Sequence, residues 1–93
     1  MVYRDRVDTI KLILETANGG SVTKTMIMYK AFLSHDHLQE YLLILTENDL
    51  LCYDKVMRTF QTTEKGIAFL QAYNEMGQIL KEGQPLYLQN DSG

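Results

Sequence analysis

The sequence has little cysteine, little proline and no tryptophan, and it contains no long apolar run. Its single cysteine, Cys52, excludes an internal disulfide and a multi-cysteine zinc site, so we expect an intracellular, reducing environment. One proline and six glycines exclude collagen-like and Pro/Gly-rich disordered chains. No segment reaches the ~18 apolar residues of a membrane span, and residues 1–6 lack the apolar stretch of a secretory signal. We therefore expect a cytoplasmic protein without a membrane partner.

An excess of positive charge is also missing. The chain has nine lysines and arginines and twelve aspartates and glutamates, which gives a net charge of −3. This balance argues against a basic coat that binds nucleic acid nonspecifically. Residues 34–49 carry four carboxylates and no lysine or arginine, whereas residues 1–33 and 50–63 are slightly basic. A polyanionic partner would have to approach the two basic segments.

The size and composition indicate one folded domain. The chain has 93 residues, of which 45% are hydrophobic and 23% are charged, as in ordinary globular domains. It contains no glycine-rich phosphate loop, nucleophile elbow or paired-acid signature, so we expect neither an enzyme nor a cofactor. His35 and His37 flank Asp36, but residues two apart do not share a helix face. We therefore expect no metal site and consider a pH-sensitive contact instead.

Apolar periodicity predicts three helices in the first half of the chain, over residues 4–17, 23–31 and 34–48. Thr23 and Ser34 are predicted to cap the second and third helices. Only two residues separate these helices, and so short a connection indicates a helix-turn-helix. The apolar face of the third helix consists of Leu38, Tyr41, Leu42 and Leu45.

The second half of the chain begins with a different period. Residues 50–53 and 58–62 are predicted to form a β-hairpin whose turn type stays open, and residues 21–23 could add to its edge. A fourth helix should run from Thr63 to residue 81 or 82, before Gly83-Gln84-Pro85 stops it. Its apolar residues are spaced four, three and four apart, which suggests a dimer interface formed by Phe69, Tyr73, Met76 and Leu80.

This order of elements is that of a winged helix. We expect an α+β, mainly α fold: a winged helix-turn-helix with a C-terminal dimerisation helix. Residues 1–63 would form the DNA-binding domain, residues 64–83 the dimerisation helix packed on the same domain, and residues 84–93 a short tail.

Two segments carry a resemblance to a known family. They are Thr-Lys-Thr-Met-Ile-Met-Tyr-Lys-Ala at residues 23–31, and Thr-Glu-Lys-Gly at residues 63–66, which precedes Phe69, Leu70 and Tyr73. With Gly20, Leu33-Ser34 and Leu50-Leu51, they resemble the small archaeal winged-helix transcriptional regulators, over about residues 5–80. That group includes the dimeric, chromatin-associated 10a-type DNA-binding proteins.

The resemblance implies a homodimer joined through antiparallel C-terminal helices. It also implies DNA binding by the third helix in the major groove and by the wing. The chain departs from the family in its third helix, where Asp36 and Glu40 occur without any basic residue. The predicted last helix is also shorter than the coiled coil of the chromatin-type members.

Three predicted elements carry candidate DNA-binding residues. On the third helix, serine, histidine and glutamine can bond to base edges, and glutamine favours adenine. Basic and hydroxyl residues of the second helix and of the wing can hold phosphates. The alternatives are ordinary solvated side chains or, in the wing, pairing with Asp54 that caps the turn. The candidates are Lys24, Thr25, Lys30, Ser34, His35, His37, Gln39, Lys55 and Arg58.

The sequence thus predicts a transcriptional regulator that binds double-stranded DNA as a homodimer and associates with the nucleoid. Residues 34–48 would enter the major groove, and residues 50–63 would contact the backbone or the minor groove. The alternative is a protein-interaction winged helix with little or no DNA binding, since fold alone does not decide function.

Charge on the presumed DNA face separates these two hypotheses. DNA binding predicts a continuous basic strip that joins Lys24, Lys30, Lys55 and Arg58. A protein partner is favoured if the face is dominated by Asp36, Glu40 and Glu47.

Overall fold

The computed structural model describes the backbone of residues 6–92 and the side chains of residues 6–79. The described elements follow the predicted order. They are α1 (Arg6–Thr16), α2 (Lys24–Ala31), α3 (His35–Glu47), β1 (Leu51–Asp54), β2 (Thr59–Thr62) and α4 (Glu64–Ser92). We call residues 51–62, which comprise β1, β2 and their connecting loop, the wing.

Both predicted helix caps are present: Thr23 begins α2, and Ser34 begins α3 after the turn between the two helices. The Thr23 hydroxyl accepts the backbone N–H of Met26 at 3.2 Å, and the Ser34 hydroxyl accepts that of His37 at 3.3 Å. Phe32 ends α2 in the left-handed conformation, with a φ of 56°. The prediction of a helix-turn-helix is confirmed.

A single apolar core joins the helices to the wing. The helix α1 packs against α2, α4 and β2, and α3 packs against β1. The buried apolar side chains of the described residues are Ile13, Leu14, Ala17, Ile27, Ala31, Leu38, Leu42, Leu45, Leu51, Phe60 and Leu70.

The wing is an antiparallel hairpin in which Asp54 pairs with Thr59 across the loop of residues 55–58. A bridge from the segment before α2 extends this sheet. The Val22 N–H donates to the Phe60 carbonyl at 3.0 Å, and the Phe60 N–H donates to the Val22 carbonyl at 2.7 Å. The expectation that this short segment adds to the sheet edge is confirmed.

Hydrogen bonds attach the beginning of α4 to the turn that follows α3. The Thr63 hydroxyl donates to the Asp49 carbonyl at 2.6 Å and accepts the N–H of Gly66 at 3.0 Å. The Lys65 ammonium donates to the Asn48 carbonyl at 2.9 Å. The Thr-Glu-Lys-Gly motif therefore acts as a structural anchor for α4.

The same motif brings α4 close to the base of the wing. A Cβ atom on Gly66 would lie 2.5 Å from both the Leu50 carbonyl oxygen and the Thr62 methyl group, closer than such atoms approach. Thr62 is itself buried, and its hydroxyl donates to the Leu14 carbonyl at 2.7 Å. Its N–H donates to the Ala17 carbonyl at 2.9 Å. Thr62 thus links the end of α1 to the beginning of α4.

The expected end of the fourth helix is wrong. The helix α4 has 29 residues and continues through Pro85 to Ser92, so residues 84–92 are not a separate tail. At about 1.5 Å per residue it is about 43 Å long, which exceeds the predicted length. Proline removes one helical hydrogen bond, but its fixed φ of about −65° suits a helix. Leucine, lysine, glutamate and glutamine, which favour helix, occur on both sides of Pro85.

Other boundaries also differ from the prediction. The first strand runs over Leu51–Asp54 rather than 50–53, and α2, α3 and α4 each begin one residue later than expected. The second strand begins at Thr59 rather than Arg58, because Arg58 closes the wing loop with a left-handed φ of 58°. The helix α1 ends at Thr16, one residue early, and its expected first residues, 4 and 5, lie outside the described residues.

Because no Cβ atom fits at Gly66, a larger residue there should destabilise the fold. Gly66→Ala should lower the free energy of unfolding by about 1–3 kcal/mol, the usual effect of overpacking. Denaturant unfolding of the full chain measures this change.

Gly77→Ala is the matched control, because a Cβ atom there meets no atom within 4 Å. This substitution should be neutral or stabilise the chain by up to about 1 kcal/mol, since alanine favours helix. Equal losses of stability in the two variants would contradict the account of Gly66.

Candidate nucleic-acid interface

A cleft of about 580 Å³ lies between the beginning of α2, the middle of α3 and the wing. We call it the wing cleft. Its lining brings together four of the predicted DNA-binding residues and four others. The lining residues are Thr23, Lys24, Thr25, Gln39, Tyr53, Met57, Arg58 and Phe60.

The conformation of the wing loop places Arg58 at this cleft. One carboxylate oxygen of Asp54 accepts the N–H groups of Val56 at 2.9 Å and Met57 at 3.1 Å. The Asp54 carbonyl accepts the N–H of Arg58 at 2.7 Å. Asp54 does cap the turn, as the alternative hypothesis supposed, but it does so through backbone groups. Its carboxylate therefore leaves the Arg58 guanidinium available.

The cations Lys24, Lys55 and Arg58 form no ion pair with another residue of the described part of the chain. There, the Lys11 ammonium pairs with Glu15, and the His35 imidazole lies 3.8 Å from the Asp36 carboxylate. Neighbouring carboxylates therefore do not neutralise the basic residues of the wing and of the beginning of α2.

An aromatic pair forms the wall of the cleft on the wing side. The rings of Tyr53 and Phe60 face each other across the two strands, with centroids 4.7 Å apart. Phe60 is buried and Tyr53 is exposed. The residues predicted for the site do not include Thr23, Tyr53, Met57 or Phe60, which also line the cleft. The register of the hairpin determines this cross-strand pair, and the sequence leaves that register open because it does not define the turn.

The predicted DNA-binding residues on and next to α3 lie in different surroundings. Gln39 lines the wing cleft, and the Ser34 hydroxyl is engaged in its cap. The imidazole of His35 lies beside Asp36. His37 lies on the α1 side of the helix, in a separate cavity of about 370 Å³ lined by Arg6, Thr9, Leu33, His37, Glu40 and Tyr41.

The four lysines and arginines proposed for one basic strip do not share one surface. Lys24 and Arg58 line the wing cleft. Lys30 lines another cavity, next to Glu15 and Met26 of the α1–α2 surface. Lys55 borders a third cavity on the other face of the wing, together with Ser21, Cys52, Tyr53, Asp54, Thr59 and Gln61.

An acidic face lies beside the wing cleft. Asp36, Glu40 and Glu47 are all exposed on α3, and Asp36 is fully so. Helical geometry places them on the side opposite the buried residues Leu38, Leu42 and Leu45. We call these three residues the acidic face.

The predicted dimer residues of α4 divide into two groups. Phe69 packs against the core, and the Tyr73 hydroxyl donates a hydrogen bond to Asp8, while the Lys11 ammonium lies 5.4 Å from the Tyr73 ring centroid. Met76 is exposed, as is its neighbour one turn along, Ile79. The side chain of Leu80, the fourth predicted residue, lies outside the described residues.

The described part of the chain contains neither a metal-binding cluster nor a membrane-spanning helix. No group of three or more histidine, cysteine or acidic side chains is placed to hold a metal ion within residues 6–79. None of the described helices combines the length and apolarity needed to cross a membrane.

Comparisons with known proteins agree with this architecture. The fold is similar to the crystal structure of Sso10a-2, a DNA-binding protein from Sulfolobus solfataricus, with a TM-score of 0.81 and 19% sequence identity. The match covers 96% of this chain and 95% of that one. No curated protein sequence matches the chain. The predicted α+β, mainly α winged helix-turn-helix fold is confirmed, and the similarity to Sso10a-2 agrees with the resemblance to the small archaeal winged-helix group. Because the model of the winged helix-turn-helix family matches residues 3–81, the chain belongs to that family.

Proposed function

We propose that the chain is a DNA-binding transcriptional regulator that acts as a homodimer and associates with the nucleoid in the cytoplasm. The observation that carries the proposal is that two cations without ion-pair partners in the described part of the chain, Lys24 and Arg58, line one cleft at the wing. The similarity of the fold to Sso10a-2, which is described as a DNA-binding protein, supports it.

The wing cleft suits a phosphate of the DNA backbone. Lys24 is the first residue of α2, where unpaired backbone N–H groups and the helix dipole favour an anion. The Thr25 hydroxyl can donate to the same phosphate. Across the cleft, the Arg58 guanidinium can donate two parallel hydrogen bonds to phosphate oxygens. A phosphate in the cleft would thus be held from both sides.

Contact with the bases would come from α3, as the sequence predicts for residues 34–48. Gln39 lines the same cleft, and its amide can bond to both N6 and N7 of adenine in the major groove. The acidic face repels phosphates, so the DNA backbone should lie on the wing side of α3. Within the groove, Asp36 or Glu40 could still accept a hydrogen bond from cytosine N4.

The helix α4 would join two copies. Its backbone extends 13 residues beyond Ile79, the last residue whose side chain is described, and Met76 and Ile79 expose apolar surface on it. Two-fold association through such helices would present two wings and two copies of α3 to DNA. The target would then contain two half-sites whose separation α4 sets.

The acidic face supports a second candidate function. Asp36, Glu40 and Glu47 cover the part of α3 that a DNA-binding helix normally turns toward the groove. A winged helix with this face could instead bind a basic protein surface.

Substitution of the two cations of the wing cleft tests the proposed phosphate site. Arg58→Ala and Lys24→Ala should each weaken binding to a labelled random-sequence duplex. Each should also lower the slope of log K against log salt by about 0.9, as expected for one lost phosphate contact. Fluorescence anisotropy at several salt concentrations measures both quantities.

Lys30→Ala is the control, because it removes the same charge from a cation outside the cleft. Its salt slope should match that of the natural sequence. Equal losses in all three variants would contradict a phosphate site in the cleft. Absence of binding even at low salt would contradict DNA binding and favour the protein-interaction function.

Substitution of the exposed apolar residues of α4 tests the proposed dimer interface. Met76→Glu combined with Ile79→Glu should convert a dimer into a folded monomer, because both side chains are exposed within one chain but would be buried between two. Light scattering should then give the monomer mass of 10.7 kDa rather than about twice that value.

Met26→Glu provides the control, since Met26 is also exposed but lies on α2. This variant should stay dimeric. A monomeric natural chain, or a dimer that survives both α4 substitutions, would contradict the proposed interface.

A further inference from the structure

The tip of the wing carries two apolar side chains that face solvent. Val56 is 88% exposed and Met57 is 67% exposed, and Val56 is the most exposed large apolar residue of the described part. Hairpin loops are usually built from glycine, asparagine, aspartate and serine. Apolar groups held in water at a projecting tip lose the free energy of burial unless a partner covers them.

This tip is held in one conformation. The Asp54 carboxylate accepts both N–H groups of the two apolar residues, and the Asp54 carbonyl accepts the N–H of Arg58. The Tyr53–Phe60 ring pair and the bridge to Val22 support the strands below. A partner would therefore meet a preorganised tip, and binding would cost little ordering entropy.

Positive charge lies on both faces of the wing beside the apolar tip. Arg58 lines the wing cleft on one face, and Lys55 borders the cavity on the other face. Val56 and Met57 lie between them in the chain. The minor groove of B-DNA is about 6 Å wide and has a phosphate strand on each side. The charge of this groove therefore matches an apolar tip with a cation on each side.

We propose that the wing enters the DNA minor groove with Val56 and Met57 as a wedge that partly unstacks one base step and bends the duplex. The inference rests on the proposed function, because the wing cleft brings the DNA to the wing. Apolar side chains inserted between base steps bend DNA away from the minor groove by about 20–90°. Lys55 and Arg58 would contact the two phosphate strands that border the inserted tip.

The wedge also implies a preferred base step. Pyrimidine–purine steps such as TA unstack most easily. A·T pairs further leave the floor of the minor groove open, whereas the N2 amino group of guanine projects into it. The preferred duplex should therefore contain a TA step where the wing lies.

Bending can be measured on a duplex of about 24 base pairs with a central TA step and a fluorophore at each end. Saturation with the full natural chain should raise energy transfer between the ends. Val56→Ser combined with Met57→Ser should abolish this rise. Val56→Ser alone leaves every residue of the wing cleft in place, so it should lower the rise while its affinity stays within about threefold. An adenine analogue, 2-aminopurine, at the central step should brighten with the natural chain only.

The matched control replaces one valine and one methionine outside the wing by serine. Val7→Ser combined with Met26→Ser removes one exposed valine and one exposed methionine from α1 and α2, and neither residue lines the wing cleft. This variant should bend the duplex as the natural chain does. Equal loss of bending in both double variants would overturn the proposal.

The other possible results distinguish failure of the wedge from failure of the proposed DNA binding. Binding without a change in energy transfer would overturn the wedge and leave DNA binding intact. No binding by the natural chain would overturn both. If light scattering shows that the two wing substitutions dissociate a dimer, the tip packs against a second copy and the wedge is wrong.

Base substitutions distinguish the two grooves. Inosine·cytosine pairs present the major groove of G·C but lack the minor-groove amino group. Bending should persist when such pairs flank the central step, and it should fall by about half or more when G·C pairs replace them. Loss of bending on inosine·cytosine as well would place the tip in the major groove and contradict the proposal.

Discussion

The contact on which the rest of the molecule depends is the close approach of α4 to the base of the wing at Gly66. No side chain fits between this residue, the Leu50 carbonyl and the Thr62 methyl group. Because the buried Thr62 hydroxyl also donates to the Leu14 carbonyl, the second strand is held by α1 on one side and by α4 on the other. The wing is therefore held in a defined position, with its first strand packed against α3. The wing cleft forms between the wing, α3 and the beginning of α2.

Electrostatics then divides the exposed surface into two regions. The wing and the beginning of α2 carry cations without ion-pair partners in the described part, whereas α3 carries an acidic face. A chain of net charge −3 is not held on DNA by a diffuse basic coat. Its affinity for DNA would depend on a few cations at defined positions, and the acidic face would limit the orientations in which a duplex can approach. Such an arrangement favours binding of a duplex in one orientation over weak binding in many orientations.

Features set by neighbours in the chain could be predicted from the sequence, and features set by distant partners could not. The Thr23 and Ser34 caps each depend on a backbone group three residues away, so residue type and position were enough to predict them. The end of α4 could not be predicted in the same way, because proline at position 85 weakens a helix without necessarily ending it. The wing loop carries no Asn-Gly or Asp-Gly signal, and its form depends on the hydrogen bonds that Asp54 makes.

The order of the elements and the helix-turn-helix could be predicted from the sequence, because apolar periodicity and capping are local and leave a readable pattern. The family was indicated by a resemblance that residues 23–31 and 63–66 carry. Which candidates share a surface depends on the tertiary structure. It placed Lys24, Gln39 and Arg58 around one cleft and separated Lys30 and Lys55 from them. The physical reason is that the direction of a side chain in space follows from helix rotation, strand register and the packing of distant segments. These depend on contacts such as that of Gly66 with Leu50 and Thr62, which join residues far apart in the chain.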